Sequence, residues 1–212
     1  DKSIVWYKKV DPADLNADEK MEFSFRYGFC YFYKKDFEKA KPYFKEIRTM
    51  KGTYYYPSNY YYGFISYKEG DFKDALRAFH TIDSSELYKP IVPYYIANIY
   101  FNEKRYDEVI KYASGFNEAD QVQYYLELQQ LIGKCYFEKQ QYDKAIPYFT
   151  KYKNGTAKLT KEDIYQIAFC EYKTKNYTEA MNSFRELNVL RDSMGQSALY
   201  LLGDCYLKIN EK

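Results

Sequence analysis

The sequence predicts an all-α solenoid: a single array of helix–turn–helix units with no β-structure. Three observations carry that reading. First, a small residue recurs at Gly28, Gly63, Ala97, Gly133, Ala168 and Gly203, at intervals of 35, 34, 36, 35 and 35 residues. A fixed period of this length marks a repeat architecture. Second, each complete unit has an aromatic nine residues after the small one (Phe37, Phe72, Tyr106, Tyr142, Tyr177), and after twelve an Ala or Val (Ala40, Ala75, Val109, Ala145, Ala180). After sixteen comes a closing residue, Phe44, Phe79, Ala113, Phe149 or Phe184. Third, apolar residues flank the small residue at helical spacing, as in Tyr27, Cys30, Tyr31 and Ile132, Cys135, Tyr136.

Taken along the chain, residues 1–19 are read as the tail of a preceding unit and a linker, because Val5–Asp11 aligns with Arg77–Asp83 at the end of a second helix. Units are expected at about 21–55, 56–89, 90–125, 126–160 and 161–195, with 196–212 as the first helix of a sixth, about eleven helices in one array over 1–212. Both ends therefore read as cut from a longer solenoid. In each first helix a glycine costs about 1 kcal/mol against alanine, so glycines at one repeating register imply a neighbouring helix too close for a Cβ. Asp36, Asp71 and Asn176 stand where the second helix needs a cap. The aromatic that follows plugs the turn, and Pro42 and Pro147 are read as early in their helices.

The pattern small–x₂–Tyr–x₅–aromatic–x₂–Ala–x₃–aromatic resembles the tetratricopeptide repeat (TPR) over residues 20–212, with Ser66 and Glu171 replacing the Tyr and unit three, with Val109 and Ala113, the least typical. The resemblance implies a right-handed superhelix whose first helices line a concave face. On that face it places the residues three before, one after and four after the small residue. The first register holds Phe25, Tyr60, Tyr94, Gln130, Tyr165 and Tyr200, and the second Phe29, Phe64, Asn98, Lys134, Phe169 and Asp204. The third, Phe32, Tyr67, Phe101, Phe137, Tyr172 and Leu207, is expected to pack between repeats. Candidate partner-binding residues are thus Phe25, Tyr60, Phe64, Tyr94, Asn98, Tyr165, Phe169 and Tyr200, an aromatic ladder suited to a peptide with apolar anchors. The family's two-carboxylate clamp is absent, since Tyr94 stands where its Lys would be. The stretches 82–97 and 192–206 resemble the long envelope TPR proteins of Bacteroidota, which implies a periplasmic or cell-envelope location.

Composition narrows the remaining classes. Thirty-two basic and 30 acidic side chains leave a net charge of +2, with no basic stripe for a nucleic acid. No apolar run reaches the roughly 18–20 residues of a membrane span, so this segment is not expected to insert in a bilayer. The four cysteines, Cys30, Cys135, Cys170 and Cys205, share a register with Ile65 and Ile99 and are read as buried, reduced core residues rather than metal ligands. The 29 Tyr and 15 Phe exceed what the core registers need, above all in the runs 54–56 and 60–62.

Nothing in the sequence assembles catalytic chemistry. The single histidine, His80, has no nucleophile in a recognisable pattern, and no Gly-rich phosphate loop or cofactor motif is present. The acid pairs Glu118 with Asp120 and Glu162 with Asp163 are read as opening helices, where carboxylates meet the dipole favourably. Asn154 and Asn176 head glycosylation-type triplets, and Asp192-Ser193-Met194 is similar to a Bacteroidota O-glycosylation motif; chance accounts for the two triplets. The sequence is read as a non-enzymatic scaffold without cofactor that binds a protein or peptide. The alternative is a regulatory sensor module whose effector domain lies outside this segment.

Overall fold

The computed structural model describes residues 2–187 and 192–210. Among them are twelve α-helices and no strand. In order these are α1 (Lys2–Tyr7), α2 (Ala17–Tyr33), α3 (Phe37–Ile47), α4 (Tyr55–Glu69), α5 (Phe72–His80), α6 (Val92–Asn102), α7 (Tyr106–Ala113), α8 (Tyr125–Glu138), α9 (Tyr142–Gly155), α10 (Lys161–Lys173), α11 (Tyr177–Arg185) and α12 (Ser193–Asn210). The helix beyond the eleven expected is α1, formed by the segment read as a tail. The chain divides into two compact units, Asp1–Ile99 and Tyr100–Lys212.

Every complete repeat closes its first helix in the same way. The residue seven positions after the small one takes a left-handed conformation: Lys35 (φ 61°), Gly70 (79°), Lys104 (58°), Gln140 (57°) and Lys175 (66°). Its N–H donates to the carbonyl three residues back, as Lys35 does to Phe32 at 2.8 Å. The next N–H reaches five back, Asp36 to Tyr31 at 3.0 Å, and the same two bonds recur at Gly70–Asp71, Lys104–Arg105, Gln140–Gln141 and Lys175–Asn176. This pair of bonds is the Schellman motif, which satisfies the last carbonyls of a helix. The aromatic that opens the second helix then packs on the ring five residues before it. The pairs are Phe32–Phe37 (5.4 Å), Tyr67–Phe72 (6.2 Å), Phe101–Tyr106 (5.7 Å), Phe137–Tyr142 (5.8 Å) and Tyr172–Tyr177 (5.8 Å).

Packing across each pair of helices explains the small residue. A Cβ on Gly28 would stand 2.9 Å from the Tyr43 Cβ, one on Gly63 3.0 Å from the Phe79 ring, and one on Gly133 2.8 Å from the Phe149 ring. The closing aromatics Phe44, Phe79, Phe149 and Phe184 are all essentially inaccessible. Burying each contributes about 3 kcal/mol. In the first unit the core joins Tyr27, Tyr31, Ala40, Phe44, Tyr62 and Ile65. In the second, Ala145 and Phe149 pack with Ile167 and Cys170, while Ala180, Phe184 and Leu187 pack with Ala198, Leu201 and Cys205.

Several local expectations are corrected. Asp36 and Asp71 cap α3 and α5 through their carboxylates, but Asn176 does not cap α11; its amide donates to Thr174 Oγ1 at 3.2 Å. Glu118 and Asp120 form a 3₁₀ turn, Glu118–Asp120, rather than opening an α-helix. Asn154 lies in the last turn of α9 instead of a loop. Pro42 and Pro147 are each the sixth helical residue, past the first turn. Each forgoes one ladder bond, and both rings are exposed, so water can take the vacated carbonyl. Cys135, Cys170 and Cys205 are buried, whereas Cys30 is only partly so, and none of the four is bridged. The cysteine register faces the preceding second helix, as Ile65 does toward Ala40 and Phe44. Among the described residues the α-helix that precedes Cys30's own helix is the six-residue α1.

Candidate functional site

The first unit holds an open apolar cleft of about 680 Å³ between α2 and α4. Its wall is built from the side chains that the repeat sends out on one side of the first helix. Phe29 and Phe32 come from α2, Phe37 from the turn aromatic, and Tyr61 and Phe64 from α4. Ring centroids lie 4.8 Å apart for Phe32–Tyr61, 5.5 Å for Phe32–Phe64, 5.4 Å for Phe29–Tyr61 and 6.2 Å for Phe37–Phe64. These are the edge-to-face contacts that aromatic quadrupoles favour. Phe29 remains 39% exposed and Tyr33, at the mouth, 81%. Burial pushes the Tyr61 phenol above its ordinary range.

Two cations and no carboxylate border the cleft. Lys35 is the left-handed turn residue, exposed at one end. Lys68 Nζ lies 5.5 Å from the Phe64 ring centre and 6.0 Å from that of Tyr67, within cation–π range. The site is an aromatic floor with a positive rim. It can hold an apolar group and a neighbouring negative charge, and it contains no nucleophile with a base.

Of the eight residues singled out from sequence, Phe64 lines this cleft. Phe25 packs 4.7 Å from the Tyr54 ring and 5.8 Å from Phe44. Tyr60 stacks on Tyr88 at 5.0 Å, and burial raises its phenol pKa. The Tyr94 ring lies 5.6 Å from Tyr95, and Asn98 donates its side-chain amide to the Tyr94 carbonyl at 2.8 Å. In the second unit Tyr165 shares a hydrogen bond with Ser197 at 2.9 Å and meets the Phe184 ring edge-on at 6.1 Å. Phe169 packs against Phe137 and Tyr142 at 5.8 and 5.5 Å. Tyr200 is 76% exposed. The first register is therefore half-buried in the five complete repeats: Tyr61 of the next repeat covers Phe25 and Ser197 reaches Tyr165, while Tyr60 is covered by Tyr88 of its own. Tyr61 and Lys68 were missed from sequence. The run 60–62 is the signal that could have found Tyr61, since Tyr62 is fully buried and Tyr60 stacked, leaving the middle ring for the cleft.

In the second unit the same registers turn polar. Gln130 and Lys134 of α8 converge on Asp163 of α10, a fully buried carboxylate. Gln130 Nε2 donates to Oδ1 at 2.5 Å, Lys134 Nζ lies 3.5 Å from the same oxygen, and Thr160 donates its N–H and hydroxyl to Oδ2 at 3.0 and 2.6 Å. Burial opposes the charge, but these donors together hold the Asp163 pKa below the ordinary carboxylate value. His80 is exposed, 3.2 Å from Asp83. Among the described residues no three His, Cys, Asp or Glu side chains are placed to hold a metal, and no helix is long and apolar enough to cross a membrane.

Comparison with known proteins agrees with this architecture. Residues 22–49 and 126–153 each match a family model described as tetratricopeptide repeat. No curated protein matches the chain by sequence. Among solved structures it is similar to MamA from Desulfovibrio magneticus, from residue 41 to the end, with 16% identity and a TM-score of 0.66 over 79% of this chain and 93% of that one. A tetratricopeptide repeat protein from Parabacteroides merdae aligns at 17% identity and a TM-score of 0.68, covering 91% and 78%. YrrB, described as a TPR protein with an unusual peptide-binding site, aligns at 12% identity and 0.60, covering 89% and 90%. Residues 22–49 and 126–153, one stretch in each unit, thus match the tetratricopeptide repeat, and with five identical turns the fold is that of TPR proteins of known structure.

Proposed function

We propose that the chain is a protein-interaction scaffold whose first unit seats an apolar side chain of a peptide segment in the cleft around Phe32, Tyr61 and Phe64. The observation that carries this reading is the positive rim. Six rings and two lysines with no carboxylate complement an apolar anchor flanked by Asp or Glu. YrrB, whose fold is similar, is described as having a peptide-binding site, and that supports a peptide as occupant. Phe29 and Tyr33 lie at the exposed edge, where an incoming chain would cover them. Phe25 and Tyr60 serve this surface from behind, packing on Tyr61 at 5.9 and 5.3 Å. In the second unit we assign Tyr165, Phe169 and Tyr200 to partner contact as well.

Selection of random displayed dodecapeptides on the protein tests this. Binders should be enriched in an aromatic or aliphatic residue next to Asp or Glu. Lys68→Glu, at an exposed position, should weaken them at least tenfold, the scale of one charge-assisted contact. Phe64→Ala should do the same with the helical spectrum retained. Binders without acidic enrichment that tolerate Lys68→Glu would overturn the reading. We also propose an envelope location, on the resemblance of residues 82–97 and 192–206; recovery in the cytoplasmic fraction would refute it.

A further inference from the structure

A second cavity of the first unit, about 340 Å³, lies where α3 ends, α4 begins and α5 ends. It is lined by Arg48, Lys51 and Arg77 with Thr49, Thr81, Tyr55 and Asn59, and by no carboxylate. Basic residues at helix C-termini ordinarily offset the helix dipole. Here Arg48 at the end of α3, Lys51 of the loop that follows and Arg77 in the last turn of α5 converge on one hollow, and their partners are not the usual ones. The Arg48 guanidinium lies over the Tyr62 ring at 4.1 Å, and Lys51 Nζ over the Tyr55 ring at 3.8 Å. Among the described residues neither has a carboxylate at ion-pair distance, and Arg77 has only Asp74 at 3.7 Å. Asp74 is itself engaged by the Tyr62 hydroxyl at 2.5 Å. Aromatic faces position these cations without consuming their N–H donors.

The frame is fixed from beneath. Asn59, 2% exposed, donates to the carbonyls of Arg48 and Tyr55 at 2.7 and 2.9 Å, tying the end of α3 to the start of α4. The first turn of α4 forms one wall, and α4 starts without a side-chain cap. That N-terminus brings the positive end of one helix dipole against the negative ends of α3 and α5, so the three side-chain charges carry the site. At about 30 Å³ per water the hollow holds roughly eleven waters, room for a hydrated oxyanion.

We infer that this cavity is a binding site for a tetrahedral phosphate group, free or as a monoester, held by Arg48, Lys51 and Arg77. It is separate from the aromatic cleft and stands whether or not that cleft binds peptide. Bidentate guanidinium donors suit phosphate oxygens, and Thr49 lies beside them with a hydroxyl donor, while the Thr81 hydroxyl donates to the Arg77 carbonyl at 2.8 Å.

The test is a titration of the isotopically labelled full chain with inorganic phosphate and, separately, O-phosphoserine, followed by amide chemical shifts. Saturable shifts confined to residues 48–59 and 77–81 are expected. Lys51→Gln, an exposed substitution that does not touch the core, should raise Kd about tenfold, while Lys68→Gln at the aromatic cleft should leave it unchanged. Arg48→Gln should raise it further. Tighter binding of phosphoserine than of phosphate assigns the site to a monoester, and equal binding assigns it to free phosphate. Non-saturating shifts spread over the surface, or equal effects of Lys51→Gln and Lys68→Gln, would overturn the inference.

Discussion

Gly133 and Gly203 occupy the same register of two first helices in the second unit, yet an alanine should act oppositely at the two. At Gly133 the added methyl would stand 2.8, 2.9 and 3.1 Å from three ring carbons of Phe149. That ring is 1% exposed and packed among Ala145, Ile167 and Cys170. Forcing a methyl into such a contact costs about 1–3 kcal/mol. Removing glycine from a helix interior returns about 1 kcal/mol. Gly133→Ala should therefore lower stability by about 0–2 kcal/mol. At Gly203 no described atom lies within 4 Å of the new methyl, so only the propensity gain of about 1 kcal/mol remains. The difference between the two variants cancels propensity and isolates packing, about 1–3 kcal/mol. Urea unfolding followed by circular dichroism, with m checked for constancy, measures it. Equal shifts in the two variants would show that the repeat's small residue is not set by its neighbouring helix.

Asp163 should make the second unit acid-sensitive. Its pKa is depressed in the folded state, so its contribution is complete above the unfolded value of about 3.9 and is lost as pH falls through the folded one. Asp163→Asn should flatten the stability profile below about pH 4, and Asp163→Ala should cost about 3 kcal/mol because Gln130 loses its buried partner. The thiols should separate kinetically: burial pushes Cys135 and Cys170 up to about 12, so Cys30 should react first with a thiol reagent in native buffer, and simultaneous labelling of all four would contradict the burial pattern. At the left-handed turn residues, Gly70→Ala should destabilise by about 1 kcal/mol, while Gln140→Gly should be neutral or stabilising, both read from denaturation midpoints.

The sequence makes the helix pairing legible because core contacts repeat by residue type: the small residue, the alanine and the closing aromatic recur every unit. The turn was only half legible. Four of its five left-handed positions are Lys or Gln, so the glycine that ordinarily betrays such a turn appears only at Gly70. The site was harder still. Helical spacing says from which side of a helix Tyr60 or Tyr165 departs, but not that Tyr88 or Ser197 of a later segment will cover it. Lys68 carried no sequence signal, being one lysine among many until the fold places it on Phe64.

The five turns are closed by main-chain carbonyls, those of Tyr31, Ser66, Tyr100, Tyr136 and Glu171 for the longer bond. At the position that accepts this bond the turn is thus indifferent to side-chain identity, and the period can persist while the residue there changes. This is why a tyrosine, a serine and a glutamate can stand at one position without altering the length of a unit. Recognition surfaces inherit that freedom. The first helices can present a greasy, cationic cleft in one unit and a buried carboxylate knot in the other on an unchanged backbone. A partner's preferences could then be rewritten one repeat at a time, by substitutions the turns would not register.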